Sequence, residues 1–212
     1  MRSRTSSASR HTTDREHDLR ARIAAEAARL ISESGLRDYQ SAKRKAAERL
    51  GVGAEVALPK NQEIEDALRT HQRLFLAEEQ PRRLRGMRET AHEAMRFFAD
   101  FEPRLVGAVL EGTADRHSAV CLHLFSDDPD APARLLDERG IPYEAQTRRM
   151  RITRATHVEF PAMLFSADGT TIDVTVFPHD HLRQAPLDRI DNLPMRRAAL
   201  TALEQLLADE SD

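Results

Sequence analysis

The hydrophobic pattern changes period at Pro103, and a chain with such a switch has to join a helical region to a sheet. Before Pro103 the apolar residues recur every three or four positions. Ile23, Ala27, Leu30 and Ile31 mark a helix from Leu19 to Ser34, and Gly35 stands where a left-handed cap would close it. A second helix runs from Ser41, whose hydroxyl can cap it, to Leu50. A third follows Asn61 with Ile64, Leu68 and Phe75 on one side, and a fourth lies beyond Pro81 with Leu84, Met87, Ala91, Met95 and Phe98. After Pro103, short apolar runs take over. Leu105 to Leu110 and Ala119 to Phe125 read as buried strands, and a helix from Arg134 to Arg139 ends at Gly140. Further strands are expected from Tyr143 to Ile152, Val158 to Phe165 and Thr171 to Phe177. The last two are joined by Ala167-Asp168-Gly169-Thr170, where Asp-Gly is a hairpin signal. Helical spacing returns at Met195, Ala199, Leu203 and Leu206, behind Asn192 or Asp191 as cap. The expected fold class is α+β: a mixed β-sheet core with an N-terminal helical region and a C-terminal helix.

Three segments follow from this pattern: a basic tail at 1–17, polar enough to stay disordered in isolation, a helical region at 18–100, and an α/β domain with its C-terminal helix at 101–212. Aromatics make up only 5% of the chain and Trp is absent, so aliphatic and Ala packing must supply much of the core. Cys121 is the sole cysteine, which excludes an intramolecular disulfide and any multi-cysteine zinc motif and fits a reducing, cytoplasmic location. The Arg- and Ser-rich start lacks the apolar centre of a secretory signal. Asp14, Glu16 and Asp18 argue against a transit peptide, and no apolar run approaches the roughly 20 residues that span a bilayer. The expectation is therefore no membrane partner. Through Leu50 the chain holds 12 Lys and Arg against 7 Asp and Glu, while the whole chain stands at −3, so a basic arm precedes an acidic body.

The chemistry-bearing stretch is Leu105 to Asp128: an apolar run, Glu111-Gly112-Thr113, the polar loop Ala114-Asp115-Arg116-His117-Ser118, then a second apolar run. This order, with an Asp-bearing strand further on at Asp173, resembles the signature of the DNA-polymerase-β-like nucleotidyltransferase superfamily, and the resemblance extends from about Phe101 to about Pro178. Segments such as Gly112-Thr113-Ala114-Asp115-Arg116-His117-Ser118 and Gln184-Ala185-Pro186-Leu187 are similar to uncharacterised bacterial proteins labelled nucleotidyltransferase. The resemblance implies a nucleotidyltransferase-like core. In it, a small turn would let amides approach triphosphate oxygens, and two carboxylates alternating on one strand, with a third on a neighbour, would hold magnesium.

Seven residues beyond Gly112-Thr113, where that family has acid-apolar-acid-apolar, this chain reads Cys121-Leu122-His123-Leu124. The resemblance carries one acid across, Asp173. Three readings stay open: a binding fold without transfer activity, transfer through a rearranged set of Asp115, Asp127 and Asp173, and plain packing in an unrelated α+β domain. Gly112, Thr113, Arg116 and Ser118 are the candidate nucleotide-binding residues, and Cys121, His123 and Asp173 the candidate metal ligands. Magnesium or manganese would serve an active site. Zinc, which suits thiolate and imidazole, is the lesser expectation, with His179 and His181 as further ligands for it. Arg116, Arg148 and Arg149 are candidates for phosphate contact.

The expected partner is a nucleotide or RNA, with duplex DNA the weaker alternative. In that alternative the basic helix near 41–50, bearing Lys43, Arg44, Lys45 and Arg49, acts as the second helix of a helix-turn-helix regulator. The sequence leaves oligomeric state open.

Overall fold

Alanine decides how the N-terminal helices pack. Helices α1 (Thr5–Ser34), α2 (Tyr39–Arg49) and α3 (Asn61–Phe75) bury Ala24, Ala27, Ala28, Ala42 and Ala46 together with Ile23, Leu30, Ile64 and Leu68 in one cluster. Small side chains let helix surfaces approach closely, which replaces the missing aromatic volume. The computed structural model describes residues 5–36, 38–53, 57–75 and 79–210, and the side chains of residues 5–15 and of Phe75 lie outside what it describes. The chain divides into two compact units, Met1–Ala77 and Glu78–Asp212.

Within the first unit, α1 begins at Thr5, inside the polar stretch that composition reads as a tail; Met1 to Arg4 lie outside the described residues. Once the packed turns of α1 exist, extending the helix adds one hydrogen bond per residue without a new nucleus. Asp38, rather than Ser41, caps α2: its carboxylate accepts from the amides of Gln40 at 3.2 Å and Ser41 at 2.9 Å. The Ser41 hydroxyl and these amides hold that carboxyl below its ordinary range. Glu63 reaches back to the Lys60 amide at 2.6 Å and so closes the start of α3 from inside, one residue ahead of Asn61.

The second unit runs α4 (Glu79–Phe97), a 3-10 turn (Ala99–Phe101), β1 (Arg104–Val106), α5 (Ala108–Glu111), β2 (Val120–Phe125), α6 (Ala131–Glu138), β3 (Glu144–Arg151), β4 (His157–Ala167), β5 (Thr170–Phe177), a second 3-10 turn (His179–Leu182) and α7 (Leu200–Asp209). The five strands form one sheet in the order β1-β2-β5-β4-β3. Strands β2 and β5 pair in parallel and the other neighbours antiparallel, so the sheet is mixed and the protein is α+β. One face carries Leu105, Leu122, Leu124, Met163, Ile172, Val174 and Val176. It is buried with Leu84, Met87, Ala91, Met95 and Phe98 around α4 and with Leu203 of α7. Helix α4, which sequence spacing groups with the helical region, therefore shares its core with the sheet. The opposite face carries Cys121, His123, Phe125, Asp173, Thr175 and Phe177, because side chains alternate along each strand.

Two expected elements differ. The run from Leu105 to Leu110 is not one strand: β1 ends at Val106, Gly107 turns the chain at φ +72°, and Val109 and Leu110 are buried from the short helix α5. A six-residue apolar run satisfies either period, and the glycine decides between them. The C-terminal helix starts at Leu200 instead of near Asn192. Ala198 exchanges both backbone hydrogen bonds with Leu105, at 2.8 and 2.9 Å, which holds the chain before it extended, and Asn192 sits at φ +63° in a turn.

The Asp168-Gly169 hairpin forms as expected between β4 and β5, with both residues at positive φ, +47° and +76°. No helix among the described residues is long and apolar enough to cross a membrane. A Cβ added at Gly169 meets nothing within 4 Å, so its cost is purely conformational. Gly169→Ala is expected to destabilise by about 1–2 kcal/mol, read as a lower urea midpoint with an unchanged slope.

Candidate functional site

The central parallel pair sets the site. The β2–β5 register places Cys121 beside Asp173 and His123 beside Thr175 on the sheet face turned away from α4. Asp173 is 5% exposed. Its Oδ2 accepts from Arg148 Nη1 at 2.8 Å, while Oδ1 is buried without a hydrogen-bond partner among the described residues. Arg148 lies on β3, two strands away, opposite Phe160. The diagonal from it to Asp173 crosses β4 at Ala162, the small residue between Phe160 and Leu164 on that face.

His123 is 2% exposed, and its Nδ1 accepts from Arg197 Nε at 3.0 Å. An imidazole that accepts at Nδ1 carries its proton on Nε2. Burial, then the positive charges of Arg197 and Arg148, push its pKa well below the ordinary histidine value, so the ring is neutral.

Arg197 arrives by the Leu105–Ala198 bridge: Ala198 faces the helix-covered core, so its neighbour faces the other way. The guanidinium centre lies 4.9 Å from the Phe125 ring and 5.2 Å from the Phe177 ring, and Nη1 donates to the His181 carbonyl at 2.7 Å. Nη2 is buried and has no hydrogen-bond partner among the described residues. Burial first, and Arg104 second, lower the Arg197 pKa to about 10, so it stays a cation at neutral pH. Sequence reasoning missed Arg197 because Met195 to Leu206 reads as one helical stripe. The bridge that exposes its role is a pairing between distant segments.

The remaining expected residues serve local structure. Gly112 closes α5 at φ +79°, and the amides of Gly112 and Thr113 both donate to the Ala108 carbonyl. The amides that the resemblance assigns to triphosphate oxygens are thus engaged in ending a helix. Arg88, buried on α4, donates to the Val109 carbonyl at 3.2 Å and pairs with Glu210, which ties α5 to the end of α7. Asp115 accepts from the His117 amide at 2.8 Å and the Ser118 hydroxyl at 3.1 Å, so Asp115 and Ser118 stabilise their own loop, while Arg116 is exposed.

Asp127 is exposed beyond β2, where it accepts from the His179 amide at 3.1 Å and sits 3.3 Å from His179 Nδ1. His181 instead packs edge-on against Phe160 at 5.2 Å, so the two histidines of the His-Asp-His run have different partners. Arg149 is exposed on β3. Among the described residues no group of three or more His, Cys, Asp or Glu is placed to hold a metal ion.

In the helical unit, Lys43 is 6% exposed on the packed side of α2, and burial lowers its pKa while Glu63 partly offsets that. Arg49 pairs with Glu26 at 3.1 Å, so the outward basic charge of α2 narrows to Arg44 and Lys45.

No protein-family model matches the chain, and no curated protein is significantly similar to it. What the fold and site define directly is an α+β protein whose second sheet face sets Arg197 on His123 and Arg148 on Asp173.

Two measurements check this geometry. Arg148→Ala leaves the Asp173 charge buried without its partner and is expected to cost about 1–3 kcal/mol. In an Asp173→Asn background the same change is expected to cost at least about 1 kcal/mol less, read by a double-mutant cycle in urea. His123 has its folded pKa below the unfolded value of about 6.5. As pH falls through that value the unfolded chain takes up a proton that the folded chain refuses. Stability therefore falls by up to about 1.4 kcal/mol per pH unit, until the folded value is reached. Between about pH 7.5 and 5.5, His123→Gln is expected to lose about 1 kcal/mol less stability than the wild type.

Proposed function

We propose that this chain is a nucleotidyltransferase-like protein that binds a nucleotide or an RNA end and has lost the carboxylate set of a magnesium-dependent transferase. The observation that carries this reading is the Arg148 guanidinium on Asp173 Oδ2 at 2.8 Å, with Cys121 beside Asp173 in register and His123 next along the same face. Magnesium takes hard oxygen ligands in near-octahedral geometry, which a thiol and a neutral imidazole do not supply. The one carboxylate of the set already has a cation against it. A guanidinium in that place can no longer activate an attacking hydroxyl as a metal does, but its planar fork suits phosphate oxygens. Arg148 and Arg197 then provide the positive charge that a nucleotide or RNA end meets on this face.

The test pairs binding with turnover. Labelled nucleoside triphosphates and a short end-labelled RNA are titrated against the full chain by filter retention, then incubated with magnesium or manganese and candidate acceptors. Retention that weakens with salt, drops about tenfold or more in Arg148→Ala, and is accompanied by no transfer product is expected. Magnesium-dependent transfer that disappears in Asp173→Ala would show an active transferase instead. Failure to retain any nucleotide or RNA would remove the reading.

A further inference from the structure

Arg197 is a cation for which the described residues supply no counter-ion. Its donors go to an imidazole nitrogen and to the His181 and Leu182 carbonyls, its centre rests over Phe125 and Phe177, and no carboxylate among the described residues pairs with it. The two carboxylates on neighbouring guanidiniums are taken: Asp173 by Arg148 at 2.8 Å, and Glu102 by Arg104 at 3.6 Å. Arg197 Nη2 is closed to solvent and makes no hydrogen bond among the described residues. Stacking on two aromatic rings offsets part of the desolvation of a cation, but it leaves an N–H donor unmet, and buried donors are very rarely left so. His123 cannot supply the missing charge, because an imidazole is neutral or cationic and never an anion; it only accepts from Arg197 Nε.

We infer that Arg197 and Arg148 form a metal-independent phosphate site, in which a phosphate group of the ligand is the missing counter-ion of Arg197 and accepts from its Nη2. The inference rests on the nucleotide-binding reading and deepens it: the ligand's phosphate is recognised by guanidinium forks, without a divalent cation. Two separated guanidiniums match a dianionic phosphate better than a monoanionic carboxylate. Because Nη2 is covered, phosphate binding requires a local rearrangement around it, where Nη1 donates to the His181 and Leu182 carbonyls.

The experiment uses the full chain in EDTA at constant ionic strength, with inorganic phosphate, pyrophosphate and adenosine nucleotides as probes, followed by calorimetry and thermal unfolding. Phosphate is expected to bind and raise the unfolding temperature where chloride at matched ionic strength does not. Arg197→Met is expected to weaken binding about 10- to 100-fold while the variant remains folded without ligand. Arg197→Lys keeps the charge but loses the fork. It is expected to bind more weakly than wild type, and it provides the folded comparison should the methionine variant not accumulate.

Phosphate affinity unchanged in both variants, or no difference between phosphate and chloride on the wild type, overturns the site. Nucleotide binding that vanishes in EDTA and returns with magnesium also overturns it, while keeping the nucleotide reading. Phosphate held through Arg197 with no preference for any nucleotide keeps the site and overturns that reading instead.

Discussion

The parallel pairing of β2 with β5 is the constraint on which the rest of the second unit depends. Six consecutive partners, Val120 with Ile172 through Phe125 with Phe177, set which residues face α4 and which face the other way. Leu122, Leu124, Val174 and Val176 go to the apolar core, and the same alternation sends Cys121, His123, Asp173 and Thr175 to the second face. A slip of one residue would drive a carboxylate and an imidazole into the layer beneath α4, so the apolar pattern that stabilises the fold also specifies the site.

Polar groups gathered on a half-covered face raise an electrostatic problem, and the protein meets it unevenly. Asp173 has Arg148, and His123 avoids charge by staying neutral with Arg197 on its Nδ1. Arg197 has aromatic rings, an imidazole and two carbonyls, but no anion among the described residues. Paired groups stabilise at modest net gain, whereas an unmet buried donor weighs against the fold. Of the three guanidiniums named on this face, Arg148 and Arg104 have carboxylate partners and Arg197 has none among the described residues.

Much of this was legible before the fold was known. Strands β2, β3, β4 and β5 lie within a residue or two of the apolar runs that mark them, and the Asp168-Gly169 hairpin follows from a dipeptide that suits positive φ at both positions. The alternation Cys121-Leu122-His123-Leu124 already puts Cys121 and His123 on one side, and Asp173 was identifiable from its strand. The run Leu105–Leu110 was misleading, since a glycine at φ +72° splits it into strand and helix. Likewise, the stripe from Met195 to Leu206 hid an extended segment, because the bridge to Leu105 competes locally with helix formation.

By itself, then, the amino-acid sequence determined the fold class, the order of most elements and the placing of Cys121 and His123 on one side of their strand, since these depend on local period and residue type. Only the tertiary structure decided what surrounds that strand. Arg148 reaches Asp173 from two strands away, and Arg197 reaches His123 from 74 residues further along the chain. Both partnerships depend on strand order and on a backbone bridge between distant segments, and a one-dimensional pattern carries no term for either.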